Sequence, residues 1–118
     1  MESKRQLQVG ETIKREFSMV LQQEGSYIYG TEVLVSVTAA KMSPDLGIAK
    51  IYVSIFNTEN KQEVLILLNE SMHRLKQLLY QRIRKKVRRV PHIDFYIDDT
   101  LDEMDHLNRL FNDMNKGS

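Results

Sequence analysis

The residues most suited to a specific chemical role are basic side chains concentrated in one stretch of the chain, where they could bind phosphates. Between Met72 and Ile93 the sequence carries eight basic residues and no acidic one. They are Arg74, Lys76, Arg82, Arg84, Lys85, Lys86, Arg88 and Arg89. Lysine and arginine neutralise phosphates and release their counterions, so such a stretch favours contact with nucleic acid. We therefore predict an RNA-binding ridge formed by all of these residues except Lys86.

The alternative explanation of the ridge is a solvated helix face whose last bases complement the helix dipole. That explanation accounts for the basic residues near Val90. It does not account for Arg74 or for the absence of acidic residues from this stretch. A second basic patch is predicted near the amino terminus. It comprises Lys4, Arg5, Lys14 and Arg15.

The charge balance reverses after the ridge. Residues 94–113 contain seven acidic residues against Arg109 alone, so the net charge of +1 conceals a dipolar molecule. An alternative function follows, in which the ridge of one copy binds the acidic segment of another. That alternative predicts salt-sensitive self-association, whereas we expect a monomer.

Catalytic motifs are missing from the sequence. It has no G-x-S-x-G, G-x-x-x-x-G-K-[ST] or G-x-G-x-x-G pattern and no cysteine. Asp102 and His106 stand four residues apart, but no third metal ligand is in register with them. We therefore expect a protein that is not an enzyme and needs no metal or cofactor. A metal-dependent nuclease that uses Asp102 or His106 is the enzymatic alternative.

Some side chains on the predicted strands have two interpretations. Tyr52, Phe56, Phe95 and Tyr96 could stack RNA bases, although aromatic residues on alternating strands are more typical of a core. His92 and Asp94 lie on one face of their strand, which predicts a surface hydrogen bond between them.

Hydrophobic periodicity gives the elements that must position these residues. A helical stripe runs from Val9 to Leu21, and Gly25-Ser26 is predicted to end that helix. Residues 31–38 and 48–56 alternate like two strands of an antiparallel hairpin, connected through residues 39–47.

A long helical pattern follows from Lys61 to Val90, where Pro91 is predicted to stop it. One straight helix of that length would measure roughly 45 Å. Since this exceeds the width of a small domain, we expect a kink at Ser71, Met72 and His73.

A third strand is predicted over residues 92–98, and a last helical stripe over residues 101–114. The order α-β-β-α-α-β-α predicts an α+β fold with the helices on one face of a three-stranded mixed sheet. We expect one domain over residues 4–114 and a short flexible tail over 115–118. The polar amino terminus and the lack of a long apolar run favour a cytoplasmic location.

Nearly the whole chain, from about Lys4 to Phe111, resembles the ribosome-binding factor A family. Two segments carry the resemblance most specifically. One is the run Met42-Ser43-Pro44-Asp45-Leu46-Gly47-Ile48-Ala49-Lys50-Ile51-Tyr52-Val53-Ser54, and the other is Arg89-Val90-Pro91-His92-Ile93-Asp94-Phe95 with Asp98.

The resemblance implies a type II KH-like domain, α-β-β-α-α-β, here with an extra carboxy-terminal helix. It implies binding to the free small ribosomal subunit and its 16S rRNA during late rRNA maturation, with importance in the cold. It further implies that a separate assembly GTPase acts in release. A general RNA- or DNA-binding module that is not tied to the ribosome is the alternative.

The sequence departs from these patterns at two points. A KH domain grips nucleic acid with a Gly-x-x-Gly loop, and none of the five glycines has that spacing. The family typically has an Ala-x-Gly kink between its middle helices, whereas Ser71-Met72-His73 stands here without glycine.

Overall fold

A computed structural model of the chain describes residues 2–98. Within this range the element order is α-β-β-α-α-β. The elements are α1 (Lys4–Tyr29), β1 (Leu34–Met42), β2 (Ile48–Phe56), α2 (Lys61–Glu70), α3 (Met72–Ile83) and β3 (His92–Ile97). The predicted α+β class and this order are confirmed, whereas the predicted last helix and the tail lie outside the described residues.

The three strands form one mixed sheet in the order β1-β2-β3. β1 pairs antiparallel with β2 from Leu34↔Phe56 to Met42↔Ala49. β3 pairs parallel with β2 on its other side. A bulge after Val37 shifts the register of β1, and this shift allows both Val37 and Met42 to be buried despite their odd spacing.

One hydrophobic core joins the helices to the inner face of the sheet. The predicted stripe of α1 is buried throughout, and Phe17 meets Phe95 of β3 with ring centroids 5.6 Å apart. Gly10 of α1 approaches β1 so closely that an added Cβ would lie 2.6 Å from the carbonyl oxygen of Ala40. Gln6 extends the contact, because its side-chain amide donates a 2.9 Å hydrogen bond to the carbonyl of Met42.

The prediction that Gly25-Ser26 ends the first helix is wrong. α1 continues through both residues to Tyr29, and Gly30, with φ of 90°, ends it. Gly25 is buried inside the helix, where an added Cβ would collide with the Tyr29 side chain. Glycine in a helix interior costs about 1 kcal/mol relative to alanine, so close packing, rather than local propensity, decides the conformation here.

The prediction of a strand over residues 31–38 is also displaced. β1 starts at Leu34 and continues to Met42, so only residues 43–47 connect it to β2. Asp45 closes this connection by accepting a 2.7 Å hydrogen bond from the Ser43 hydroxyl and a 3.0 Å bond from the Gly47 N–H. A tight turn of this kind allows the two strands to form eight residue pairs, from Leu34↔Phe56 to Met42↔Ala49.

The helical pattern over residues 61–90 forms two helices, α2 and α3, and the break lies at Ser71, within the segment where a kink was expected. Ser71 separates α2 from α3 with φ −92° and ψ 8°, a conformation that needs no glycine, and its N–H reaches the carbonyls of Leu67 and Leu68. The prediction that Pro91 stops the helix is wrong, because α3 ends at Ile83. Like charges four residues apart, such as Lys85 and Arg89, oppose continuation of the helix, and the chain must turn back to reach β3.

Candidate nucleic-acid interface

Five exposed basic residues lie in the connection between α3 and β3. We call this connection the basic turn (residues 84–89). They are Arg84, Lys85, Lys86, Arg88 and Arg89. The turn is held by hydrogen bonds of 2.8 and 2.9 Å from the N–H groups of Lys86 and Val87 to the carbonyl of Ile83. Val87 and Val90 pack against the core, and Pro91 is fully buried. The apolar residues thus anchor the turn and leave its bases in solvent.

The ridge predicted on one helix is therefore divided between a helix and a turn. Its earlier bases, Arg74, Lys76 and Arg82, lie on α3, and the later ones lie beyond the helix end. Arg82 Nε donates a 2.8 Å hydrogen bond to Glu16 Oε2, and Arg74 Nη2 lies 3.5 Å from Glu24 Oε1. Both acids belong to α1, so these arginines clamp α3 to α1. Lys76 is half-buried.

The Arg82 contact changes the titration of its partner. The hydrogen bond from Arg82 holds the pKa of the Glu16 carboxyl below its ordinary value, against the opposing effect of burial. Arg15 Nε lies 3.5 Å from Glu16 Oε1, and the charge of Lys86 acts in the same direction. Glu16 is thus a charged centre shared by bases of α1, α3 and the basic turn.

The second predicted patch is also divided. Arg5 lines a concave surface of about 180 Å³ together with Arg88 and Arg89 of the basic turn. Lys4 is exposed at the start of α1, whereas Lys14 and Arg15 lie more than two helical turns further along. The fold therefore brings Arg5 to the end of the ridge formed by the basic turn, and it places Arg15 beside Arg82, since both contact Glu16.

An acidic side chain borders this concave surface. Asp45, on the loop between β1 and β2, lines it opposite the bases. The hydrogen bonds from the Ser43 hydroxyl and the Gly47 N–H hold the pKa of Asp45 below its ordinary value, and the charge of Arg89 adds to the effect. Asp45 thus stabilises the loop through these hydrogen bonds. Its negative charge also disfavours binding of an anion at that side of the concave surface.

The open face of the sheet carries Tyr52 and Tyr96, for which the sequence left two interpretations, and two lysines that the predicted site did not include. Tyr52 and Tyr96 stack there with ring centroids 5.4 Å apart and planes inclined by 26°. Lys41 Nζ lies 5.5 Å from the centre of the Tyr52 ring, and Lys50 Nζ lies 6.0 Å from that of Tyr96. The alternation of Ile48 to Phe56 separates Lys50 and Tyr52 from the core residues, but only the pairing of β2 with β3 adds Tyr96.

The predicted hydrogen bond between His92 and Asp94 is confirmed. His92 Nε2 lies 3.1 Å from Asp94 Oδ1 on exposed side chains of β3. In residues 2–98 no group of three or more potential metal ligands comes together, and no helix there is long and apolar enough to span a membrane. Asp102 and His106 lie outside the described residues.

Comparison with known proteins shows which family this sequence resembles. A family model described as ribosome-binding factor A matches residues 5–111. The ribosome-binding factor A of Cytophaga hutchinsonii is 40% identical over 107 residues, covering 91% of this chain and 80% of that protein. The one from Christiangramia forsetii is 33% identical over 108 residues, covering 92% of this chain and 82% of that protein.

Solved structures give the same picture. The crystal structure of ribosome-binding factor A from Thermus thermophilus superposes with a TM-score of 0.64 at 24% identity, covering 78% of this chain and 94% of that one. That likeness concerns the fold. A homology model of the Thermus thermophilus factor, fitted into a cryo-EM map of a 30S complex with that factor, gives a TM-score of 0.59 at 26% identity. It covers 75% of this chain and 90% of the other.

Proposed function

Because the chain belongs to the ribosome-binding factor A family, we propose that it is a non-enzymatic assembly factor of the small ribosomal subunit. It binds the free subunit through rRNA during late maturation of 16S rRNA. The structural relative from Thermus thermophilus that was fitted into the map of a 30S complex supports the choice of partner. The protein acts as a monomer in the cytoplasm, and an assembly GTPase acts in its release.

The basic turn carries the proposal. Five exposed bases within six residues, joined by Arg5 across a concave surface, form a compact site for several phosphates. Arginine forks suit phosphate oxygens because they can donate two parallel hydrogen bonds. Phosphate contacts position a protein without reading sequence, so specificity comes from the shape of the rRNA and from the subunit surface.

The bases of α3 have a different role in this proposal. Arg82 and Arg74 are paired with carboxylates of α1, which neutralise part of their charge and restrict the orientation of their guanidinium groups, so they are less available to a phosphate than unpaired basic residues. The basic turn has no carboxylate within hydrogen-bonding distance among the described ion pairs. We therefore assign RNA contact chiefly to Arg84, Lys85, Arg88 and Arg89, with Arg5 and Lys4 as a second group.

Sedimentation of the tagged protein through sucrose gradients of cell extract tests the proposal. We expect co-migration with free small subunits at low and moderate salt. A protein that stays at the top of the gradient at both salts contradicts the proposal. Equal association with small subunits, large subunits and unrelated RNA favours the general nucleic-acid-binding module instead.

A further inference from the structure

The open face of the sheet presents an aromatic platform, which we define as Tyr52 and Tyr96 with Lys41 and Lys50. The face opposite it is filled by the helices, and Tyr96 keeps 41% of its surface exposed. Register explains the grouping, since Lys41 pairs with Lys50 and Tyr52 pairs with Tyr96 across neighbouring strands. Two aromatic rings and two ammonium groups therefore lie within one small area of solvent-facing sheet.

The platform borders a concave surface of about 430 Å³. Lys41, Lys50 and Tyr52 line it, and apolar contributions come from Met42, Pro44 and Ile48. Glu2 stands at its rim, and Asp94 lies beside Lys50 in the register, where it is already in contact with His92. This surface matches the two parts of a nucleotide. The apolar walls and ring faces suit a flat base, and the two ammonium groups suit a phosphate.

One loop connects this surface to the basic turn. Ser43 and Pro44 line the concave surface beside the platform, while Asp45 and Leu46 line the one that holds Arg5, Arg88 and Arg89. The loop of residues 43–47 is thus a shared wall between the two surfaces. A strand of RNA whose phosphates lie on the basic turn would reach the platform by crossing this loop on the side of Ser43 and Pro44, away from the charged Asp45.

We propose that the aromatic platform stacks bases of single-stranded RNA. This inference rests on the proposed function, because it supplies a second contact for the same rRNA. In the free protein the ammonium groups lie over the rings at cation–π distance. A base displaces an ammonium from the ring face, and the displaced lysine then pairs with the adjoining phosphate. Paired bases keep their faces inside the duplex, so the platform selects unpaired segments.

The test uses a fluorescein-labelled single-stranded RNA decamer and a hairpin of equal phosphate number, each titrated with the full chain. Tyr96→Ala removes the more exposed ring of the platform, and Tyr96→Phe retains it. Tyr27→Ala is the matched control, because Tyr27 is 85% exposed on α1, away from the sheet face. Thermal unfolding verifies that each variant is folded.

We expect Tyr96→Ala to weaken binding of the decamer about tenfold and to leave hairpin binding unchanged. Tyr96→Phe and Tyr27→Ala should bind like the wild type. Equal binding by Tyr96→Ala and Tyr27→Ala overturns the proposal, and so does an equal loss for both RNAs. Loss of self-association without loss of RNA binding overturns it as well, because the platform is then an interface between copies.

Sedimentation separates this inference from the proposed function. If Tyr96→Ala binds the decamer normally and the protein still co-migrates with small subunits, only the platform is wrong. If the decamer result holds but the protein stays at the top of the gradient, the platform binds RNA and the assignment to the ribosome is wrong.

Discussion

Arg82 of α3 and Glu16 of α1 form a hydrogen-bonded ion pair of 2.8 Å that joins two helices distant in sequence. The Glu16 side chain is only 15% exposed, and Arg82 is 31% exposed. Removal of Glu16 would leave the partly desolvated Arg82 without its carboxylate, whereas Glu16 would keep Arg15 if Arg82 were removed. The pair therefore stabilises the helix layer that holds the basic turn in place.

Glu16→Gln is expected to destabilise the protein in a pH-dependent way. Because the pKa of Glu16 is lowered by folding, its ionised form stabilises the native state above the ordinary pKa of 4.5. The stabilisation is lost as the pH falls through the lowered pKa. At pH 7 the variant should unfold with a free energy about 1 kcal/mol smaller than that of the wild type.

Urea titrations between pH 3 and pH 7 measure this difference. The exposed Glu11 lies on the same helix, so Glu11→Gln serves as the control and should show no comparable gap. A Glu16→Gln gap that stays constant down to pH 3 would show that Glu16 contributes through packing instead of charge.

Gly10→Ala is expected to destabilise the protein even though alanine is the better helix former. The new Cβ would lie 2.6 Å from the backbone carbonyl of Ala40, which can move only with β1. Overpacking of this kind costs about 1–3 kcal/mol. Gly25→Ala offers a contrast within α1, because its Cβ meets a Tyr29 side chain that can rotate.

Thermal unfolding of both alanine variants measures the contrast. The melting temperature of Gly10→Ala should fall clearly below that of Gly25→Ala. Equal melting temperatures would mean that α1 can shift on the sheet without cost, and would refute the tight contact with β1.

Ser71→Gly is expected to lower stability modestly and to leave nucleic-acid binding unchanged. Ser71 has a negative φ, so a glycine there gains no conformational relief in the folded state. The glycine increases the conformational entropy of the unfolded chain, and this lowers the free energy of unfolding by about 0.5–1 kcal/mol. Chemical unfolding and an RNA titration measure the two effects, and a stabilised variant would contradict the prediction.

Local patterns predicted the elements that have strong periodicity. The stripe from Val9 to Leu21 and the strand Ile48–Phe56 follow from spacing alone, because one face of each is buried. Boundaries were wrong where packing in the fold, and not the local pattern, decides the conformation. Gly25 stays helical because it packs against Tyr29, and α3 ends at Ile83 because the chain must return to pair β3 with β2.

The same difference between local pattern and packing in the fold applies to the candidate site. The predicted ridge grouped Arg74 and Arg82 with the other basic residues, because the sequence does not show which residues of another helix lie beside them. In the fold, Glu16 and Glu24 of α1 bind these two arginines. Arg5 joins Arg88 and Arg89 only because α1 starts beside the basic turn, a proximity that no local spacing reveals.

Salt dependence is expected to report the phosphate contacts of the basic turn. Each phosphate contact to single-stranded RNA contributes roughly 0.7 to the slope of the logarithm of affinity against the logarithm of salt concentration. Arg88→Gln combined with Arg89→Gln should therefore lower that slope by roughly 1.4. RNA titrations over a range of KCl concentrations measure it, and an unchanged slope would place the phosphates elsewhere.

The most direct test is an anisotropy titration of the fluorescently labelled protein with purified small ribosomal subunits. It compares Arg88→Gln/Arg89→Gln with Gln22→Glu/Gln23→Glu, a double variant with the same loss of net charge at exposed positions of α1. Residues 22 and 23 lie about 25 Å along the helix from Arg5. We predict weak binding for the arginine variant and wild-type binding for the glutamine variant. Equal affinities for the two variants would contradict the assignment of the basic turn as the rRNA-binding site.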